Sequence, residues 1–151
     1  MKQRILFIDR DGTILREPED EQIDSYDKFE FLPGVITALS FLARHTDYKL
    51  VLVSNQDGLG TDSYPEADFW PTHNLMLDIL RGEGIVFYAQ HIDRSFPHEN
   101  LPTRKPGTAM LTSYMNNPEV DMEHSYVIGD RQTDAQLAEN LGCRSLIIGE
   151  G

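Results

Sequence analysis

The sequence predicts an α/β fold: a three-layer, open, mostly parallel sheet with helices on both faces. Two observations lead there. Short apolar runs recur along the chain, each closing on polar residues, as buried parallel strands do. Segments with helical periodicity lie between them, and alternating strands and helices imply a mostly parallel sheet covered on both sides. The length, 151 residues, matches one ordinary domain with a single sizeable core. No internal repeat, low-complexity tract or linker divides residues 1–151.

RILFID, Arg4–Asp9, is the first strand. VITALSFLARH follows Pro33-Gly34, a good helix entry, and repeats Val35, Leu39 and Leu42 on one face. KLVLVSN, Lys49–Asn55, is the next strand. ADFWPTHNLMLDILRGEG gives a second helix with Leu75, Met76, Ile79 and Leu80 facing inward, its end marked by Gly82 and Gly84. GIVFYAQHI fits another strand, and Gly107–Met115 another helix. SYVIGD (Ser125–Asp130), the helix Thr133–Leu141 and RSLIIG (Arg144–Gly149) complete the alternation. Phe69 and Trp70 read as packing residues, His73 as a helix-start histidine in a structural hydrogen bond, and Cys143 as a buried structural thiol.

Composition narrows the function classes. Hydrophobic residues make up 40% of the chain, too many for a disordered protein. The net charge is -12, from 25 acidic and 13 basic side chains; that balance repels nucleic-acid phosphates, so no nucleic-acid partner is expected. No apolar run approaches the roughly 20 residues that span a bilayer, and Asp9 interrupts the start before a signal-peptide core could form. Neither membrane nor export is expected. With a single cysteine no internal disulfide forms, which suits a reducing compartment, and the chain reads as cytoplasmic.

In open parallel sheets, ligands bind beyond the carboxyl ends of the strands at a topological switch point. Three strands here end conspicuously: in Asp9 with Asp11, in Ser54 with Asn55, and in Asp130 with Asp134 just beyond. In DRDGT the two carboxylates, two residues apart, can face one site where Gly12 lets the chain turn. A carboxylate with cationic neighbours can attack phosphorus, and a second carboxyl group can protonate the leaving oxygen and then activate water. Asp9 fits the first role and Asp11 the second; solvated aspartates at a turn are the competing reading. Asp130 and Asp134 bring further negative charge, which calls for a cation, and hard oxygen ligands point to Mg²⁺. For Asp134 a plain helix cap is the alternative. Lys105, in TRKPG, offers positive charge to phosphoryl oxygens, and Ser54 and Asn55 offer neutral donors.

DRDGT, the strand ending in SN, the RKP lysine and GDRQTD resemble, in order, the four motifs of the haloacid dehalogenase superfamily. The segments FIDRDGTILREP, FEFLPGVI, NQDGLGTDSYPEADFWPTHNLM and SYVIGDRQTDAQLAEN are similar to those of its histidinol-phosphate phosphatases, over nearly the whole chain. The resemblance implies a Rossmann-type fold without a large cap domain, residues 1–151 acting as one phosphatase domain, and hydrolysis of L-histidinol phosphate in histidine biosynthesis through an aspartyl-phosphate. Asp9 would be phosphorylated and Asp11 would act as acid, then base. Mg²⁺ would be held by Asp9, the backbone carbonyl of Asp11 and Asp130, with Asp134 supporting. Ser54, Asn55 and Lys105 would bind the phosphate, and Glu17 would meet the substrate amine. The partner is a small phosphorylated metabolite; the family also permits fusion to, or association with, a dehydratase domain. A heptose 1,7-bisphosphate phosphatase is the nearest rival within the superfamily. A non-enzymatic phosphate-binding module is the rival from another class.

The chain departs from that family at one place. Relatives resemble a pattern with a zinc-binding loop, three cysteines and a histidine, just before the RKP lysine. Here the segment reads HIDRSFPHENLPTRKP, and aligning on RKP puts Asp93, Ser95, Leu101 and Thr103 at the ligand positions. Leucine cannot ligate a metal, and serine and threonine are poor zinc ligands. With the cysteines absent, structural zinc is not expected; adventitious metal binding by His91, Asp93, His98 and Glu99, which lie close in sequence, is the alternative. Local packing of Phe96, Pro97, Leu101 and Pro102 is expected to hold the loop instead.

Overall fold

The computed structural model describes residues 2–149. Its sheet has five strands: β1 (Ile5–Ile8), β2 (Lys49–Asn55), β3 (Ala89–Asp93), β4 (Tyr126–Gly129) and β5 (Arg144–Ile147). Every neighbouring pair is parallel and the order is β3-β2-β1-β4-β5. The side chains of β1 are all at most 3% exposed, which is why its sequence is a continuous apolar run rather than an alternating one.

Strand side chains alternate between two apolar layers. Leu6, Ile8, Leu50 and Leu52 pack with Leu39 of α1 (Val35–His45) and with Met76 and Leu80 of α2 (Glu66–Gly82). Ile5, Phe7, Val51, Val53 and Val127 pack with Tyr114 of α3 (Thr112–Met115) and with Leu137, Ala138 and Leu141 of α4 (Gln132–Leu141). Each fully buried aliphatic side chain contributes roughly 1.5–3 kcal/mol, so both layers hold the sheet between its helices.

From β1 the chain runs outward through β2 to β3, then returns to add β4 on the other side of β1. The crevice at the carboxyl ends of β1 and β4 is therefore the switch point, and Asp9 and Asp130 follow those strands directly. Asp9 N–H donates to the Ile128 carbonyl at 2.9 Å, extending the β1–β4 ladder to the first residue past the strand.

Three expectations need correction. The second half of GIVFYAQHI pairs, as Ala89–Asp93, but Ile85–Tyr88 lies outside the strand, which it leads into through Tyr88 N–H donating to the Leu50 carbonyl at 2.7 Å. Ile85 drops into the core while the Val86 and Tyr88 side chains face solvent. Gly107–Met115 is not one helix: Ala109–Leu111 forms a 3-10 turn, followed by the single α turn of α3. In α2 the fully covered face is Phe69, Thr72, His73, Met76 and Leu80, with Leu75 and Ile79 only half-buried.

His73 is fully buried, stacked on Phe69, with Nε2 2.7 Å from Gln90 Oε1 and Nδ1 without a partner. Burial pushes its pKa down to about 4, the hydrogen bond to Gln90 opposing only in part. The imidazole is neutral in the folded protein and charges near pH 6.5 in the unfolded chain. Its contribution to stability is complete above about pH 6.5 and is lost as pH falls towards 4, amounting to about 3 kcal/mol at most. Thermal unfolding between pH 4 and 7 should show Tm falling with pH, and His73→Gln should flatten that part of the curve. An unchanged slope in the variant would show that other groups set it.

Candidate active site

The site grows from the loops that leave β1, β2 and β4. Past β1, Gly12 adopts a φ of +84°, and a Cβ there would lie 2.0 Å from Asp130 Oδ2. Only glycine lets the DRDGT turn approach the β4 end so closely. Gly129 makes the matching approach on the other side: a Cβ would lie 2.2 Å from Asp134 Cγ. The two glycines thus allow Asp130 and Asp134 to crowd against Asp9.

Lys105 is the cation among them. Its Nζ donates to Asp9 Oδ1 at 2.9 Å, to Asp134 Oδ1 at 2.9 Å and to the Val53 carbonyl at 3.1 Å, using all three of its protons. Burial disfavours its charge, but the Asp9 and Asp134 carboxylates outweigh that and raise its pKa above the usual lysine value. Burial pushes the Asp9 carboxyl up to about 8, with Asp134 and Asp11 pushing the same way and Lys105 pulling back. One ammonium leaves the site short of positive charge. Asp134 Oδ2 also accepts from the N–H groups of Asp130 and Arg131, at 3.2 and 3.3 Å, so this residue caps α4 and faces the site at once.

A divalent cation fits the remaining geometry. One oxygen from each of Asp9, Asp130 and Asp134 lies within 4.8 Å of the others. Asp130 Oδ1 is buried without a hydrogen-bond partner, and an orphaned carboxylate oxygen in an anionic pocket is what a hard cation satisfies.

The structure brings the other expected residues to the same edge, with some in unexpected engagements. Asn55 Oδ1 accepts from Lys105 N–H at 3.1 Å and its Nδ2 lies 3.4 Å from the Lys105 carbonyl, so its amide clamps the lysine backbone. Ser54 is buried, and its Oγ accepts from Gln56 Nε2 at 2.8 Å, leaving its own proton to donate. Glu17 sits on the loop after β1, which is closed by hydrogen bonds from Arg16 N–H to the Glu30 carbonyl and from Leu32 N–H to the Ile14 carbonyl. It is ion-paired with Arg131. Burial raises the Glu17 pKa, Arg131 opposing.

Above the carboxylates opens a cleft of about 470 Å³, lined by Asp11, Glu17, Asn55, Phe96, Arg104 and Lys105 among others. Charged groups of both signs surround its mouth: Asp20, Glu21 and Asp57 beside Arg104 and Arg131.

Two site residues escaped the sequence reading. Arg10 is fully buried. Its guanidinium lies 4.8 Å over the Phe69 ring, and Nε is 3.2 Å from Asp11 Oδ1. That contact is an ion pair without hydrogen-bond alignment, since Nε has no bonded partner. Gln56 Nε2 donates to Asp11 Oδ2 at 3.0 Å as well as to Ser54. The signal for Arg10 was alternation: if Asp9 and Asp11 face the site, the residue between them points into the protein. No comparable signal marks Gln56.

Comparisons with known proteins bear on the family. The HAD-hydrolase-like family model matches residues 102–151. The histidine biosynthesis bifunctional protein HisB of Bacteroides fragilis is 56% identical over 151 residues, covering 99% of this chain and 40% of that protein. The protein of the same name from Spirosoma linguale is 53% identical over 147 residues, covering 97% of this chain and 38% of that protein. The chain thus spans about two fifths of the length of these curated relatives. Among solved structures, the D,D-heptose 1,7-bisphosphate phosphatase of B. bronchiseptica, complexed with magnesium and phosphate, superposes with a TM-score of 0.83. It shares 28% identity and is matched over 96% of this chain and 79% of its own. The chain belongs to the haloacid dehalogenase superfamily.

For a haloacid dehalogenase domain with this packing, Gly12 is a sensitive position. Gly12→Ala must displace Asp130 and strain the turn, while the core stays intact. The variant should fold, lose about tenfold or more in phosphate-ester turnover, equivalent to at least roughly 1.4 kcal/mol of barrier, and need more Mg²⁺ for half-maximal rate. Kinetics matching the parent would show that Asp130 does not depend on this close approach.

Proposed function

We propose that this domain hydrolyses phosphate monoesters through a covalent intermediate on Asp9, and that its substrate is L-histidinol phosphate. The observation that carries the reaction is Lys105 bonded to both Asp9 and Asp134 at the switch point, with Asp11 and Asp130 beside them. Such a concentration of carboxylates around one buried lysine serves no packing purpose, whereas a phosphoryl group needs this set of nucleophile, acid and cations.

Asp9 carboxylate attacks phosphorus, and the bond to the ester oxygen breaks as Asp11 delivers its proton there. Asp11, now ionised, takes a proton from water; the resulting hydroxide attacks phosphorus and the bond to Asp9 breaks. Alcohol and inorganic phosphate leave, with both aspartates returned to their starting states. The Ser54 hydroxyl donates to a phosphoryl oxygen. Lys105 supplies positive charge beside it and, as Asp9 bonds to phosphorus, turns the N–H it gave to Asp9 towards a second phosphoryl oxygen. Asn55 acts mainly by fixing the Lys105 backbone. Arg10 and Gln56 hold Asp11 from behind. Mg²⁺, held by Asp9, the Asp11 carbonyl and Asp130 with Asp134 in support, would supply the extra positive charge that lets an anionic carboxylate meet an anionic phosphate.

The substrate rests on the relatives, whose names place them in histidine biosynthesis. Glu17, Glu21 and Asp20 at the cleft mouth offer carboxylates to the ammonium of histidinol phosphate, beside Arg104 and Arg131. We also propose that residues 1–151 correspond to the phosphatase part of a bifunctional protein, alongside a dehydratase domain, working in the cytoplasm. Among the described residues no helix is long and apolar enough to cross a membrane. A heptose 1,7-bisphosphate remains the second reading, carried by the structural likeness to that phosphatase.

A panel of phosphate esters with purified protein and Mg²⁺ tests the assignment. The highest kcat/KM should fall on L-histidinol phosphate; preference for the heptose bisphosphate would overturn the substrate and keep the mechanism. Asp9→Asn should be folded and inactive, its rate reduced by about 10⁴ or more, as expected for a lost covalent nucleophile. Parental activity in that variant would remove Asp9 from the reaction. Stripping divalent ions with a chelator should abolish turnover, and Mg²⁺ should restore it; full activity in the stripped protein would contradict the metal role.

A further inference from the structure

The segment from Asp93 to Lys105 carries three cleft residues, Phe96, Arg104 and Lys105, on little regular structure: one 3-10 turn at Pro97–Glu99. The expected packing of Phe96, Pro97, Leu101 and Pro102 does not hold it. Leu101 is 45% exposed, and Phe96 stacks on the exposed ring of His98 while it leans on Gly58. Nor does a metal fit there. Among the described residues the three-carboxylate group around Asp9 is the only cluster of its kind, and His91 turns away to Tyr114, its Nε2 2.8 Å from that hydroxyl.

One buried carboxylate gathers the segment instead. Asp93, 5% exposed at the end of β3, accepts from Ser95 N–H at 3.1 Å and Ser95 Oγ at 2.5 Å through Oδ2. Its Oδ1 accepts from Thr103 Oγ1 at 2.5 Å. One side chain thus ties the outgoing limb of the segment to the returning one. Three of the four positions aligned with zinc ligands, Asp93, Ser95 and Thr103, are the members of this hydrogen-bonded group. The fourth, Leu101, is the exposed one.

The consequence reaches the cleft. Ser95, fixed by Asp93, offers its carbonyl to Arg104 Nη1 at 3.2 Å, and Arg104 is ion-paired with Asp57 at the mouth. Thr103 stands two residues before Lys105. Asn55, which clamps the Lys105 backbone, is the register partner of Asp93 across β2 and β3. Two adjacent strand ends therefore grip the same short segment from two sides.

We propose that Asp93 is a positioning residue: its carboxylate, bridging Ser95 and Thr103, holds the Arg104–Lys105 segment in place as a bound zinc ion would, and replaces that ion in this chain. Hydrogen bonds to a buried charged acceptor are strong enough for the task. They also make the loop indifferent to thiol oxidation and to metal supply. The role of Lys105 in this account rests on the phosphatase reading above; the brace itself does not.

The test compares Thr103→Val, which removes one arm, with Thr103→Ser, which retains the hydroxyl, and adds Asp93→Ala. Three quantities are measured on each: amide hydrogen exchange over 94–105, the dissociation constant of inorganic phosphate in the presence of Mg²⁺, and KM for the best ester. Thr103→Val should speed exchange in that segment and weaken phosphate binding and KM about tenfold, the worth of one charge-assisted hydrogen bond. Thr103→Ser should restore all three, and Asp93→Ala should exceed Thr103→Val wherever it folds. A purely structural brace would lower Tm and leave the phosphate constant at the parental value, which would overturn the positioning role. Unchanged exchange in Thr103→Val, or one equivalent of zinc whose removal loosens the segment, would overturn the brace. Exchange does not depend on turnover, so absent activity in the parent would count against the phosphatase reading alone.

Discussion

A buried lysine shared by two aspartates governs this structure. Lys105 reaches the floor of the site from a loop and bonds to Asp9, which follows the first strand, and to Asp134, on the last helix. Removing one partner from a buried ion pair costs roughly 3–5 kcal/mol, because the charge left behind has no water to turn to. The triad therefore ties the end of β1, the Lys105 loop and α4 together at the floor of the site, above the apolar layer that already joins β1 to α4. It also explains why a glycine stands at 129, where it clears the space for Asp134; Gly12 does the same for Asp130 beside the triad.

The same interaction leaves a deficit on which function builds. One ammonium cannot neutralise Asp9, Asp11, Asp130 and Asp134 together; burial pushes the Asp9 carboxyl up to about 8, and the neighbouring carboxylates of Asp134 and Asp11 add to that push against Lys105. A site in that condition favours any further cation, and it favours it most where Asp130 presents an oxygen without a partner. On the proposed reading, this is how an acidic protein makes a place for an anionic phosphate: the net charge of -12 repels polyanions at a distance, and the local cations would admit a small phosphate at close range.

Much of this was legible in the sequence. KLVLVSN and VITALSFLARH became β2 and α1 with the bounds read from their residues, because strand and helix periods there were unmixed. The polar strand ends converge because parallel topology puts all carboxyl ends on one side. What misled was apolar sequence without burial: Val86 and Tyr88 look like strand residues but face solvent. Gly107–Met115 has helical apolar spacing, yet it starts beside Pro106 and winds tightly before a single α turn. Least legible were supports that depend on tertiary geometry. Arg10 behind Asp11, Gln56 between Asp11 and Ser54, and Asp93 between Ser95 and Thr103 carry no motif; polar residues of these kinds are solvated far more often than they are buried.

The most direct test of the central claim uses beryllofluoride, which mimics a phosphoryl group on a carboxylate, observed by ¹⁹F NMR in the presence of Mg²⁺. A single saturable set of bound resonances is predicted for the parent, absent from Asp9→Asn and weakened in Lys105→Met. Bound resonances of equal intensity in Asp9→Asn, or an adduct that forms as well with Mg²⁺ removed, would contradict the account.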